Sequence, residues 1–75
     1  MPITLNKLLK DQSGIITDLT GKQSFIARAT AIGFSPGVEI IAIQNIKGYP
    51  LIVYLNDTRI VIDRDEARKV IIDAS

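Results

Sequence analysis

Residues 38–63 read VEIIAIQNI KGYP LIVYL NDT RIVID, three runs rich in isoleucine and valine that are separated by two short turn signals. Branched side chains are restricted at χ1 and pack well on a pleated surface, so these runs favour β-strands. The Asn56-Asp57 pair tolerates the positive φ values that a tight β-hairpin requires. Gly48 and Pro50 both interrupt regular structure in the other connection. The stretch therefore predicts three strands, over 38–46, 51–55 and 59–63.

Two further strands are predicted outside this stretch, over 13–19 and 69–73, because both are short and rich in β-branched residues. Residues 64–68, just before the last strand, contain a single turn's worth of helix-forming residues, for which a 3₁₀ conformation is expected. A leucine-rich segment near the N-terminus predicts one more helical turn, with Thr4 as its cap.

One segment has a helical period instead. Phe25, Ala29 and Ile32 recur at i, i+4 and i+7, which predicts a helix with these residues on its apolar face. Phe25 and Phe34, at either side of this helix, are interpreted as core residues. The predicted caps are Ser24 or Gln23 at the start and Gly33 at the end.

These elements define a mainly β fold class. About five short antiparallel strands with one short α-helix inserted after the first strand predict a small β-barrel, of SH3-like or OB-like type. The long second strand and the two tight connections favour the SH3-like antiparallel β-barrel. A chain of 75 residues is expected to form a single domain.

Composition narrows the function before any motif is considered. The chain has no cysteine and no histidine, which excludes disulfides, thiolate catalysis and the commonest transition-metal ligand. Nine basic and eight acidic residues leave a net charge of +1, far from the strongly basic footprint of a non-specific nucleic-acid binder. The apolar runs are too short to span a membrane, and the first residues lack the pattern of a signal peptide. A cytoplasmic location is therefore predicted.

No catalytic or metal-binding constellation is visible in the sequence. The serines have no histidine partner, and the glycines are scattered single residues rather than a phosphate-binding loop. Asp57, Asp63, Asp65 and Glu66 lie close together, but ferrous iron is usually held by histidine together with carboxylates. These acids are interpreted as turn, cap and solvated surface residues. The sequence therefore predicts a protein that is not an enzyme and that holds no metal and no cofactor.

Several segments share the order and spacing of one known family. They are Leu5 to Leu8 with Gln12-Ser13-Gly14-Ile15-Ile16, Arg28 with Ile32-Gly33-Phe34-Ser35-Pro36-Gly37, Gly48-Tyr49-Pro50, and Ile60-Val61-Ile62 with Glu66-Ala67. In this order they resemble FeoA, the family of small cytosolic proteins of bacterial ferrous iron transport. The resemblance runs from about Leu5 to Asp73, which is nearly the whole chain.

The resemblance implies an SH3-like barrel with a helix after the first strand, as one domain over residues 1–75. It implies an accessory, regulatory role in ferrous iron uptake, as a binding module on the cytosolic side of a FeoB-type, GTPase-linked transporter. That contact would place the protein peripherally at the inner membrane. The sequence departs from the family at Lys10-Asp11, where Pro-Gly is usual, at Tyr49, where aspartate is usual, and at Asp63, where a basic residue is common.

Arg28, Lys47, Tyr49 and Pro50 are the predicted partner-binding residues. Arg28 matches the family's arginine. Either its aliphatic stem packs over the barrel, or its guanidinium faces the partner. In the second case it could act as an arginine finger toward the GTPase. Tyr49 either shields the open end of the barrel or anchors an interface. Pro50 has a purely structural alternative as the first residue of an edge strand.

Two other functions remain open at this stage. Iron-dependent transcription regulators carry a similar SH3-like module at their C-terminus, although there it follows DNA-binding and dimerisation domains, whereas this chain begins with its own methionine. A small nucleic-acid-binding barrel would need a basic groove with stacking aromatic residues. No nucleic-acid partner and no direct membrane insertion are therefore expected. Exposed aliphatic edge strands predict weak homo-oligomers.

Overall fold

The computed structural model describes residues 1–74, which form one curved antiparallel sheet and three short helical segments. The strands are β1 Pro2–Thr4, β2 Ser13–Leu19, β3 Glu39–Gln44, β4 Leu51–Leu55, β5 Thr58–Ile62 and β6 Val70–Ala74. The helical segments are α1 Gln23–Ala31, α2 Arg64–Ala67 and a 3₁₀ turn over Leu5–Lys7.

The sheet confirms the predicted SH3-like architecture and contains one strand more than expected. The strand order is β1-β6-β2-β3-β4-β5, and every neighbouring pair is antiparallel. β1 was not predicted, because three residues are too few to show an alternating pattern. It pairs with β6 in the register Ile3↔Ile72, so that β6 lies between β1 and β2.

Two register shifts bend the sheet around its core. One lies between Ile16 and Asp18 where β2 pairs with β6, and the other between Ala42 and Gln44 where β3 pairs with β4. An extra residue of this kind bends its strand and increases the local twist. The predicted strand over 38–46 is therefore longer than the observed β3, because beyond the shift Asn45 bonds to a neighbouring loop instead of the ladder.

The β4–β5 hairpin has the predicted turn. Asn56 and Asp57 both have positive φ, at 50° and 58°, as a two-residue type I′ loop requires. The hydroxyl of Thr58 donates to the Asn56 carbonyl across the turn, at 3.2 Å. The side-chain amide of Asn56 also donates to the Gly33 carbonyl, at 3.4 Å, so that the hairpin tip contacts the end of α1.

Helix α1 is present as predicted, but its predicted start and part of its apolar face are wrong. The N-cap is Lys22, and no side chain caps the first turn, so neither Ser24 nor Gln23 has that role. Ile32 is 52% exposed because the helix ends at Ala31 and the period does not continue. Gly33 ends the helix as predicted, with φ at 113°. The amides of Gly33 and Phe34 donate to the carbonyls of Thr30 and Ala29, which completes a Schellman motif.

The segment before β6 is α-helical rather than 3₁₀. The amides of Ala67 and Arg68 donate to the carbonyls of Asp63 and Arg64, at 2.8 and 3.2 Å, which is the i to i−4 pattern. The turn near the N-terminus is present, with Thr4 in the N-cap position but without a capping hydrogen bond from its side chain.

Phe25 and Phe34 are buried, as predicted, in a wholly aliphatic and aromatic core. The other core residues come from every strand except β1, from the 3₁₀ turn and the residue directly after it, and from both helices. They are Leu5, Leu8, Ile16, Leu19, Ala29, Ile40, Ala42, Leu51, Val53, Leu55, Ile62, Ala67, Val70 and Ile72. Among residues 1–74, none of the helices has the length and apolar character that crossing a bilayer requires.

Candidate partner-binding surface

Arg28 lies on the exposed side of α1 and forms an ion pair with Glu66 of α2. Its guanidinium carbon lies 5.7 Å from the centroid of the Phe25 ring, and the ammonium of Lys69 lies 5.0 Å from the same centroid. Two cations thus contact one buried aromatic ring, an arrangement that its quadrupole favours. The Arg28 side chain nevertheless remains 61% exposed. It therefore packs over the barrel while it keeps its charged group at the surface.

The connection between β3 and β4 forms an exposed tip, which we call the Tyr49 loop (residues 46–50). Every residue in it is exposed, and Tyr49 is 60% exposed. The Tyr49 amide donates to the Ile46 carbonyl at 3.0 Å, and Gly48 has φ at 87°, which closes a tight turn. Most of the Tyr49 side chain therefore faces solvent instead of covering the end of the barrel.

Pro50 does not begin an edge strand. β4 begins one residue later, at Leu51, and lies between β3 and β5 in the sheet. A proline has no amide hydrogen for the ladder, so its place just outside a central strand agrees with its chemistry. Lys47 and Pro50 are both exposed on the same loop as Tyr49.

Arg64, the first residue of α2, fixes the conformation of the Tyr49 loop. Its Nη1 donates to the carbonyls of Ile46 and Tyr49, at 3.2 and 3.1 Å, and its Nη2 donates to the Asn6 carbonyl at 3.4 Å. A planar guanidinium satisfies several carbonyls at fixed angles, which a lysine does not. The loop is thus exposed at its surface and held from below by one side chain.

Asn45 connects the base of the same loop to the 3₁₀ turn. Its side-chain Nδ2 donates to the carbonyls of Asn6 and Leu8, at 2.9 and 2.7 Å. Asn6 Oδ1 is buried beside this junction and has no hydrogen-bond partner among residues 1–74. The loop therefore rests on the N-terminal part of the chain as well as on α2.

Helix α2 binds both Arg28 and the Tyr49 loop, which have no direct contact with each other. Glu66 binds Arg28, and Arg64 binds the Tyr49 loop. Two positions on a helix that are two residues apart point about 200° apart, so Arg28 and the loop lie on opposite sides of α2. An open groove of about 320 Å³ separates the loop from α2, lined by Gly48, Tyr49, Pro50, Asp63, Arg64 and Asp65.

Two other acids, one on α2 and one in the β4–β5 turn, bind a cation and a hydroxyl. Asp65 accepts from Arg68 at 2.5 Å, and Asp57 accepts from the Tyr54 hydroxyl at 3.2 Å. That hydrogen bond, together with the charge of Asp57, raises the pKa of Tyr54 above its ordinary value of 10.0. Within residues 1–74, no three histidine, cysteine, aspartate or glutamate side chains are grouped so that they would hold a metal ion.

Arg64 was missed by the sequence interpretation. An arginine in the charged run 63–66 has the pattern of a solvated surface residue. Its carbonyl acceptors are 15, 18 and 58 residues away in the chain, so no local pattern indicates them. The asparagines at 6 and 45, polar residues beside apolar runs, were the only available hint of a buried polar junction.

The fold and the open, loop-borne surface place this chain among small SH3-like barrel proteins. Its sequence matches the FeoA domain over residues 3–74. The chain therefore belongs to the FeoA family, which confirms the resemblance seen in the sequence. A comparison with curated proteins gives no match.

Solved structures support the fold assignment. A crystal structure of an iron uptake regulatory protein (FeoA) matches with a TM-score of 0.95 at 20% identity, over 100% of both chains. FeoA of Stenotrophomonas maltophilia in complex with zinc matches with a TM-score of 0.80 at 28% identity, over 95% of this chain and 89% of that one. A manganese-dependent transcriptional repressor matches with a TM-score of 0.89 at 9% identity; the match covers 99% of this chain and 42% of the repressor.

Proposed function

We propose that this protein is a non-enzymatic accessory factor of bacterial ferrous iron uptake, which docks on the cytosolic side of a FeoB-type, GTPase-linked transporter. Membership of the FeoA family supports the process. Similar structures are named as an iron uptake regulatory protein and an iron(II) transport protein, and the zinc-bound relative is described as a proposed ferrous iron transport activating factor. The exposed and internally braced Tyr49 loop is the observation that supports docking.

Tyr49 has the properties of an interface anchor. Its side chain is largely exposed although the loop that carries it is held by hydrogen bonds from Arg64. A tyrosine supplies a large contact area with little rotamer entropy, and tyrosines are enriched among the residues that dominate binding energy. A loop that is already ordered loses little further entropy when a partner binds. Lys47 and Pro50 extend the same contact surface.

Arg28 contributes the second part of the proposed surface. Its ion pair with Glu66 leaves most of the side chain exposed, so that the guanidinium can also contact an acidic group of the partner. As an arginine finger it would have to leave Glu66 and the Phe25 ring. We therefore expect the GTP hydrolysis rate of the transporter to be the same with the wild-type protein and with Arg28→Ala.

The docking proposal is tested by titrating ¹⁵N-labelled protein with the cytosolic GTPase domain of the transporter from the same organism. Amide shifts should cluster on the Tyr49 loop and on α1 around Arg28. Tyr49→Ala should weaken binding about tenfold or more, as expected for a central aromatic anchor. Tyr54→Ala, which removes an exposed tyrosine on the β4–β5 hairpin instead, is the matched control and should leave the affinity unchanged.

A charge exchange separates the structural role of Arg28 from its role in contact. Arg28→Glu places two acids together, and the additional change Glu66→Arg restores the ion pair in the opposite direction. If Arg28 only stabilises α2, the double variant recovers binding. Loss of binding in the double variant, with normal stability, supports direct contact of Arg28 with the partner. Absence of shifts with both the isolated domain and the full-length transporter would contradict the docking proposal.

A second candidate function is that of a module of a metal-dependent transcription regulator. The manganese-dependent repressor has this fold in the 42% of its chain that matches. At 9% identity this similarity concerns the fold alone. The two functions predict different partners, because a regulator module would bind a DNA-binding protein or its operator complex rather than a transporter. The same titration, repeated with the metal-dependent repressor of the organism, distinguishes them.

A further inference from the structure

Strand β5 forms an open edge of the sheet. It is the last strand in the sheet order, so β4 is its neighbour on one side only. Its register against β4 is unbroken from Leu51↔Ile62 to Leu55↔Thr58, without the shifts found at β2–β6 and β3–β4. A regular edge strand presents a row of backbone donors and acceptors to which another strand can pair.

The hairpin geometry determines which backbone groups face outward. In a two-residue hairpin the residues that flank the loop form a hydrogen-bonded pair, and the pairs alternate from there along the strand. Thr58, Ile60 and Ile62 therefore turn their amides and carbonyls toward β4. Arg59 and Val61 direct theirs away from the sheet. Both residues are exposed, and Val61 is 64% exposed.

The two edges of the sheet differ in their protection. The opposite edge, β1, is three residues long and begins with Pro2. The N-terminal ammonium, directly before it, forms an ion pair with Asp73 at 2.7 Å. Short length and proline are devices that prevent strand addition. β5 has five residues, and its sequence TRIVI contains no proline, glycine or lysine. The fold therefore blocks one edge and leaves the other open.

We propose that two copies of this chain pair through their β5 edges, antiparallel, about a two-fold axis at Val61. In this register Val61 lies opposite Val61 of the second copy, and Arg59 lies opposite Asp63 of the second copy. Apolar pairs and opposite charges at directly opposed positions both stabilise a sheet. By symmetry the charge pair occurs twice, as a closed isologous interface requires.

Asp63 is suited to this role. It continues the direction of β5 with an extended backbone, at φ −63° and ψ 148°, and its side chain makes no capping bond to α2. The two neighbouring registers are less favourable. One places Arg59 opposite the apolar Val61 of the second copy, and the other places Val61 opposite the charged Asp63.

The apolar side chains on the outer face also favour the register centred on Val61. Val61 pairs across the strands with Ile52, so both side chains lie on the same face of the sheet. Pairing with the second copy continues this row through its Val61 and Ile52. The second copy covers the exposed Val61 side chain on the side of β5 that has no neighbouring strand.

The association is expected to be weak, because one pair of five-residue strands buries less area than a standard stable interface. Sedimentation velocity from about 10 µM to about 1 mM, a range suited to weak interfaces, should show a concentration-dependent monomer–dimer equilibrium. Val61→Lys opposes two ammonium groups at the axis and should raise the dimer Kd about tenfold or more. Ile32→Lys changes another exposed branched residue, outside the edge; it is the matched control and should leave the Kd unchanged.

The charge pair gives a second, independent test. Arg59→Asp should weaken the dimer, and the additional change Asp63→Arg should restore it, because the two charges exchange places across the axis. A chain that stays monomeric throughout the concentration range overturns the proposal, as does a dimer that is insensitive to both edge variants. A monomer whose binding to the transporter domain is weakened by Val61→Lys also overturns it, because the edge then pairs with a strand of that partner.

Discussion

Arg64 holds together three parts of the chain that are distant in sequence: the Tyr49 loop, α2 and the 3₁₀ turn. It gives the Tyr49 carbonyl a donor and adds a second donor to the carbonyls of Ile46 and Asn6, which already accept from the Tyr49 amide and from Asn45. A single side chain at the base of the loop thus determines the position of the exposed tyrosine at its tip. The loop and its anchor are separate residues with separate effects, and mutation can distinguish them.

We expect Arg64→Ala to lower the free energy of unfolding by about 1–3 kcal/mol, because charge-assisted hydrogen bonds to backbone carbonyls are lost. The Tyr49 amide should also exchange faster with solvent, since the loop loses the two hydrogen bonds from Arg64 that brace its turn. Urea denaturation and amide hydrogen exchange measure the two effects. Arg68→Ala, which removes an exposed ion pair on the same helix, should change stability by less than about 1 kcal/mol. Equal effects of the two substitutions would contradict this role of Arg64.

Tyr54 should titrate at an alkaline pH that depends on Asp57. The hydrogen bond to Asp57 and its negative charge raise the pKa of Tyr54 above 10.0, and we expect Asp57→Asn to lower that pKa. A pKa raised in the folded state gives a contribution to stability that is present below the unfolded pKa and is lost as pH rises through the folded pKa. Absorbance titration near 295 nm in a Tyr49→Phe background isolates the Tyr54 transition. An unchanged transition in Asp57→Asn would show that the hydrogen bond does not persist in solution.

At the level of elements, β2 depends on a residue without a side chain. Gly14 pairs with Ile40 of β3 and Ala74 of β6, and an added Cβ would collide with Ile72 Cγ2 and lie 2.9 Å from the Asp73 carbonyl oxygen. Gly14→Ala should therefore lower the free energy of unfolding by about 1–3 kcal/mol through overpacking. The neighbouring change Ser13→Ala keeps an existing Cβ and should have an effect within about 0.5 kcal/mol. Thermal or urea unfolding of both variants provides the measurement.

The elements that sequence predicts well are those with local causes. The β4–β5 hairpin follows from Asn56-Asp57 between two β-branched runs, and the end of α1 follows from Gly33, which alone accepts that backbone conformation without strain. The elements that it predicts poorly depend on distant partners. β1 pairs with β6 at the other end of the chain, and α2 is joined to the Tyr49 loop through Arg64 and to α1 through Glu66.

The candidate surface divides in the same way. Arg28 and Tyr49 are visible in the sequence as a helix-borne cation and a loop-borne aromatic residue. Their common connection to α2 is not visible, because the bonds of Arg64 and Glu66 join segments 15 to 58 residues apart. Residue order and spacing indicate the FeoA family, and the match to the FeoA domain over residues 3–74 confirms it.

At the level of the whole molecule, stability depends on one small core. A domain of this length is expected to be stable by about 4–11 kcal/mol. Phe34, fully buried, is its largest completely enclosed side chain, and Phe34→Ala should cost about 3–5 kcal/mol. The variant should therefore be partly unfolded near 37 °C, as circular dichroism or one-dimensional NMR would show. Ile32→Ala, at an exposed position beside it, should cost less than about 1 kcal/mol.

The place of β6 between β1 and β2 has a consequence for how the protein is made. The first two strands emerge early from the ribosome, yet β1 has no hydrogen-bonding partner, and β2 lacks one of its two, until residues 70–74 have been released. Closing such distant segments requires a large loss of chain entropy before any contact compensates for it. A nascent chain stalled before residue 70 would therefore present aliphatic strands without their central partner, a state that chaperones and proteases recognise.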